Sequence, residues 1–469
     1  MSTRSHSSIL VLFPPQIVLL ENTLHITKGY EMSLPPRRSF LQQTTLAVTS
    51  SMVIAKAGHA SSLTSRPKLR AGVIGLGGQG KSHLRSYLDN PEVEVAWVCD
   101  VDSDRLNEAK VIAKDAQATS DLRMILDDQA VDLVSIATPD HWHSPAAILA
   151  LQAGKHVYVE KPCSHNVREG RLLIEAARKS GKLVQHGTQS RSAEWIRQAM
   201  KALQDGIIGD VIVAKAWDVQ FRPPIGYAEP MNAPANLDYD TWVGPAEVVP
   251  YQANRAHYTW HWWYDFGTGD AGNDGVHEID IARWGLGVNQ QPTRIAAVGG
   301  KYVHQDDQQF PDTMTAVFEY PANPAHSFSK QLIFEMRLWS RYYPHNMDNA
   351  NEFLGTKGRM LLTKRGKVQV FDEKGKEIEL KISDDRSVSV AAHQKNFIAA
   401  IRGEGTLNAD AETAHLSSSL PHLANMACRL GRSFSFDPQN ETIPNDAEAN
   451  RLLTRKYRAG HWGAAGVLK

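Results

Sequence analysis

From residue 69 to about 205 the chain alternates short apolar runs with amphipathic stretches. LRAGVIG, VEVAWVCDVD, VDLVSIATP, HVYVEKP and LVQHG read as strands buried on both faces. DSDRLNEAKVIAKDA, SPAAILALQAG and VREGRLLIEAARKSGK carry apolar residues at helical spacing, the first behind an Asp cap and the second stopping at Gly154. Strands alternating with helices of this length predict a parallel sheet with right-handed crossovers. After residue 205 the rhythm changes. VIVAKAWDVQF, TRIAAVGGKYV, DTMTAVFEYP and FSKQLIFEMRLW are longer, partly alternating runs with no helices between the last three. They predict an antiparallel sheet with one face packed on helices. Helical patterns near 390–403, 411–432 and 445–457 close the chain, and there is no internal repeat.

The first 60 residues follow neither rhythm. PPRRSFLQQ (35–43) precedes a weakly apolar run, TTLAVTSSMVIA, and a small-residue end, AKAGHA. That is the layout of a signal peptide, and the paired Arg37 and Arg38 resemble a twin-arginine signal. The expectation is export to a bacterial periplasm, with Met32 as the true start and SSLTSRPK (61–68) as a linker. Charge adds only exclusions. Lys+Arg and Asp+Glu both number 51, so the net charge is zero and no general attraction to nucleic acid or anionic membrane is expected. No apolar run reaches the roughly 18 residues of a membrane span. Cys99, Cys163 and Cys428 form no C-x-x-C pair.

Gly75-Leu76-Gly77-Gly78-Gln79-Gly80 is a G-x-G-x-x-G between a strand and a helix, the context a dinucleotide fingerprint requires. Gly75 makes the turn, Gly77 admits a pyrophosphate, Gly80 lets helix and strand pack, and the helix N-terminus faces the phosphates. Asp100, ending the second strand, suits the adenosine ribose hydroxyls and disfavours a 2′-phosphate. NAD is therefore expected, with NADP kept open by the nearby Arg105. The fold class is α/β: a Rossmann domain over 69–205, then an α/β domain over 206–469 with a large, mostly antiparallel open sheet.

ATPDHWH (137–143), VEKP (159–162), the glycine turn and DGVHEID together resemble the glucose–fructose oxidoreductase, inositol dehydrogenase and MocA family. LDYDTWVGPAE, EFLGTKGRM and NFIAAIRG are similar to a sugar-related branch of it. The resemblance implies that Thr138, Pro139 and His143 line the cofactor pocket, with Glu160 and Lys161 at the nicotinamide end. It also implies substrate binding and homo-oligomer formation through the second domain's sheet. Lys161 ends a central strand, where open α/β sheets bind ligands, and a cation there can stabilise a developing alkoxide. A surface ion pair is the plain alternative.

The segment YDFGTGDAGNDGVHEIDIARW (264–284) is read as one helix from 270, with Asn273, His277, Asp280 and Trp284 on one face. The family pattern D-x-G-x-H-x-x-D makes His277 the base that takes a hydroxyl proton, and Asp280 is read as fixing its tautomer. Gly275 is read as leaving room for a ring. The family aspartate falls on Asn273, so His277 acts without that acid, or Asp270 or Asp274 serves from another angle. No second histidine stands at i+4, so no metal is expected. Acids that complement a helix dipole would also explain Asp270 and Asp274.

Residues 222–263 form a long, aromatic-rich, irregular stretch. Such loops are usually functional, and Arg255, His257 and Tyr258 are the candidate substrate contacts. The reading is an exported NAD(P)-dependent oxidoreductase acting on a carbohydrate or cyclitol hydroxyl, its catalytic set Lys161, His277, Asn273 and Asp280. A tightly held cofactor recycled between two sugars would suit a compartment without free NAD. The rivals are a glycoside-cleaving enzyme using transient oxidation by NAD, and a non-catalytic sugar or nucleotide sensor.

Overall fold

A computed structural model describes residues 66–464. The leader with Met32, Arg37 and Arg38, and most of the 61–68 linker, lie outside those residues. The first sheet is built from β1 (Leu69–Ile74), β2 (Val93–Cys99), β3 (Gln117–Thr119), β4 (Leu133–Ile136), β5 (His156–Val159) and β6 (Val184–His186). Every pairing is parallel and the order is β3-β2-β1-β4-β5-β6. β4 is buried throughout and β5 nearly so, as their mostly apolar runs require. The intervening helices are α1 (Gly78–Leu88), α2 (Ser103–Ile112), α3 (Leu122–Asp127), α4 (Asp140–Gln152) and α5 (Val167–Ser180). α5 shows why such helices stop and start where they do. The Asn166 side chain accepts from Glu169 N at one end, and Gly181 at φ 65° closes the other. The strand order reverses between β1 and β4, so a crevice opens at their carboxyl ends.

After α6 (Glu194–Gln204) come β7 (Val211–Val219), the short α7 (Tyr239–Val243), α8 (Gly269–Asn273) and α9 (Gly275–Leu286). Then follow β8 (Arg294–Gly300), β9 (Thr313–Tyr320), β10 (Lys330–Arg337), β11 (Asn349–Gly355), β12 (Gly358–Thr363), β13 (Lys367–Asp372) and β14 (Glu377–Ile378). α10 (Val390–Ile401), α11 (Ala411–Leu430), β15 (Phe434–Ser435) and α12 (Ala447–Leu452) end the chain. The second sheet runs β14-β13-β12-β11-β7-β10-β9-β8-β15 and is antiparallel except where β7 meets β10. Its covered face packs on α6, α9 and α11 around Trp195, Phe318, Phe334 and Phe353.

Two differences from the sequence reading bear on the site. The expected helix from 270 to 284 is two helices, broken at Asp274, whose φ −109° and ψ −40° depart from helical values. The cores also do not divide at residue 205. α6 packs in the second core, while Phe397 and Ile398 of α10 complete the core beneath β1 and β2.

Candidate active site

The crevice is a continuous groove with two parts. Its narrow part, about 70 Å³, is lined by Gly75, Gly77, Asp100, Arg105, Thr138 and Pro139 among others. Its wide part, about 530 Å³, runs from Gly77, Gly78 and Gln79 to Lys161, Asn273 and His277.

The glycine turn fits a dinucleotide residue by residue. Gly75 has φ +83°, and a Cβ on Gly80 would lie 1.7 Å from Gly75 O, so neither tolerates a side chain. Around Gly78 a Cβ would meet nothing, and at Gly77 only the Arg105 guanidinium, at 3.2 Å. Backbone can therefore approach a phosphate there. Asp100 accepts from Leu76 N (2.6 Å) and Asp102 N (2.9 Å), which fixes the turn while its carboxylate borders the narrow slot. Burial pushes its pKa up. Thr138 lines both parts of the groove, and its Oγ1 is buried without a protein partner.

Glu160 does not reach the open groove as a free acid. Gln79 Nε2 donates to it at 3.0 Å, His83 Nε2 lies 3.0 Å away and Gln189 Nε2 donates at 3.3 Å. Burial opposes its charge, but the His83 hydrogen bond and nearby Lys161 outweigh that and hold the carboxyl well below its usual range. His143 bridges the Pro162 and Thr138 carbonyls (2.6 and 2.8 Å), tying together the two loops that carry Lys161 and Thr138.

Lys161 Nζ donates to Asn273 O at 2.6 Å and to Asn273 Oδ1 at 3.3 Å. The amide's other end, Nδ2, donates to Asp270 Oδ1 at 2.7 Å. Asp270 in turn accepts from Arg222 Nε (2.7 Å), and Arg222 Nη1 donates to the Tyr258 hydroxyl (2.6 Å). His277 borders the groove one turn beyond Asn273. Burial, then the charges of Lys364 and Lys161, push its pKa down to about 3, so it stands neutral. Behind it Lys364 Nζ pairs with Asp274 (3.0 Å) and Glu278 (3.2 Å). Burial pushes Glu278 up to about 7.

Four sequence assignments change. Asp280 does not serve His277. It is fully buried, paired with Arg191 Nε at 2.8 Å and accepting from Ser417 Oγ at 2.6 Å, because its side of α9 faces α11 rather than the groove. Gly275 leaves no room for a ligand, since a Cβ there would strike Phe334 at 2.5 Å; it lets α9 lie close to β10. Arg255 is buried away from the groove, stacked over Trp263 at 4.2 Å and donating to Pro250 O and Gln252 Oε1. His257 borders the groove at the cofactor side, with Nε2 2.8 Å from Asp102 Oδ2. Tyr258 is where a substrate contact needs it, half exposed on the wide part of the groove. Sequence reading missed Arg222, Gln189 and Lys364. Arg222 sits just past the end of β7 and Lys364 just past β12, positions with no local motif.

A dinucleotide slot opening onto a lysine, an amide and a neutral histidine defines an oxidoreductase-type centre. Residues 69–188 match the model described as "Oxidoreductase family, NAD-binding Rossmann fold", and residues 198–319 and 354–463 match its "C-terminal alpha/beta domain". The chain belongs to the glucose–fructose oxidoreductase, inositol dehydrogenase and MocA family. It is 33% identical over 156 residues to a glycosyl hydrolase family 109 protein of Saccharopolyspora erythraea, covering 31% of this chain and 33% of that protein. It is 31% identical over 160 residues to D-glucoside 3-dehydrogenase of Escherichia coli, covering 33% and 44%. The matches thus span less than half the length of these two relatives. In fold it is similar to the WlbA dehydrogenase of Bordetella pertussis, solved with NADH and UDP-GlcNAcA. The TM-score is 0.59 and the identity 20%, over 79% of this chain and 99% of that one.

Proposed function

We propose that the protein oxidises or reduces a carbohydrate or cyclitol hydroxyl with NAD. The observation that carries this is Lys161, Asn273 and His277 converging where the groove continues from the glycine turn. Bound NAD supplies the hydride acceptor. His277, already neutral, takes the hydroxyl proton, and Lys161 Nζ stabilises the charge growing on that oxygen. Asn273 holds the lysine on the groove floor. Tyr258, Gln189 and Trp260 offer polar edges and an apolar face to a sugar ring.

The names of the D-glucoside 3-dehydrogenase and the UDP-GlcNAcA-bound WlbA support a sugar substrate. The family 109 relative supports a second reading, glycoside cleavage through transient oxidation at the same residues. The Arg37–Arg38 leader supports export by the twin-arginine route. The outer face of the second sheet, with Val213, Val298, Val317 and Ile333 partly or well exposed, is the surface assigned to self-association.

Nucleotide released from denatured protein would be identified first, and glucosides and cyclitols then followed at the nicotinamide absorbance. NADH formation is expected, falling on the order of 10²–10⁴-fold in His277→Ala with NAD affinity retained. Aglycone release without net absorbance change would favour the second reading. Failure to bind NAD would end both.

A further inference from the structure

The last described residues return to the dinucleotide domain. Arg458 anchors them: its N donates to Pro245 O at 2.9 Å, and its guanidinium pairs with Asp240 Oδ1 at 2.8 Å. Beyond that anchor the Trp462 indole lies 5.3 Å, centroid to centroid, from Trp142. The Arg123 guanidinium covers Trp462 at 4.8 Å. Trp142 is itself fixed, its Nε1 donating to Trp242 O at 3.1 Å. A Cβ on Gly463 would come within 2.9 Å of the Trp142 ring, so the tail packs directly on that indole.

This packing makes Trp462 part of the narrow slot, beside Asp100, Ser120, Leu122 and Trp142. The slot lies on the Asp100 side of the glycine turn. Lys161 and His277 mark the other, nicotinamide end of the groove. The adenosine half of a dinucleotide therefore belongs between Asp100 and the two indoles. A purine presents π-faces to such a wall, and base–aromatic stacking is a substantial, sequence-independent source of affinity.

We infer that Trp462 is a cofactor-binding residue and that the C-terminal tail forms the outer wall of the adenosine slot. Four segments build that wall: α3 and α4 of the first domain, residues 241–242, and the tail. Adenosine bound in the slot would lie against the tail, which supplies a physical basis for slow release of the cofactor. The inference rests on NAD binding by the first domain and not on the identity of the sugar.

Calorimetry on the full chain, stripped of nucleotide, with NAD, AMP and nicotinamide mononucleotide as probes, tests it. In Trp462→Ala, affinities for AMP and NAD are expected to fall about tenfold while that for the mononucleotide holds. Trp462→Phe should retain most of the affinity, and stopped-flow release of NAD should quicken in the alanine variant alone. Unchanged AMP and NAD affinities would overturn the assignment. So would an equal loss for AMP and the mononucleotide, because a contact that only supports the fold would not distinguish the two halves.

Discussion

Asn273 carries an amide where the family pattern has a carboxylate, and its neighbours absorb the change. Lys161 is held mainly by the Asn273 main-chain oxygen, and the acid sits one step back at Asp270. Asn273→Asp would set two carboxylates at the 2.7 Å now spanned by a hydrogen bond. The pair would then take up a proton, raising a folded-state pKa above its unfolded value. The expected result is stability present at low pH and lost as pH rises through that new pKa, a trend absent at this position in the wild type. Urea unfolding at several pH values reads it. Lys161, Asn273 and His277 were legible in the sequence because each stands in a motif with a fixed place at a strand or helix end. Asp280 and Arg255 were misread because spacing gives the side of a helix or the presence of a loop, not the partner waiting there.

At the scale of elements, α9 is tied to the segment after β6 by a buried ion pair. Arg191 Nε donates a bifurcated hydrogen bond to both Asp280 oxygens and Nη2 donates to one of them, and Ser417 of α11 satisfies the same carboxylate. Breaking such a pair leaves a buried charge uncompensated. Arg191→Met should therefore destabilise the protein by about 3–5 kcal/mol, and the double change Arg191→Met/Asp280→Leu should recover most of the loss. Denaturant midpoints of the two variants separate these outcomes. The parallel sheet was readable because β1, β2, β4 and β5 are mostly apolar runs separated by helix-length stretches. β11, β12 and β13 were not, since NANEFLG and KVQVFD mix polar residues on both faces. Two of the polar residues on β11, Asn349 and Asn351, lie buried, and Asn351 Nδ2 donates to the Glu278 main-chain oxygen at 2.7 Å, which ties the strand to α9.

Across the whole molecule, buried histidines set the acid limit. Burial pushes His141, His186 and His422 down to about 3 and His393 to about 4. It pushes Asp140 and Glu278 up to about 7. Between about pH 4 and 6.5 the unfolded chain binds protons at these four histidines and at His277, which the folded chain leaves neutral, while the folded chain keeps protons on two acids. The unfolded state holds the surplus, so stability falls as pH drops through this window, by on the order of 2 kcal/mol per pH unit. Urea midpoints at pH 6.5 and 5 check the sign. The sharing of cores between the two domains has a consequence of another kind, one of timing. Phe397 and Ile398 seal the core beneath β1 and β2, yet they are made about 200 residues after β6. At roughly 5–20 residues per second, the ribosome holds the nucleotide-binding half unsealed for about 10–40 seconds. A nascent chain that meets NAD in that interval meets a half-built receptor, so cofactor capture waits until α10 has been made.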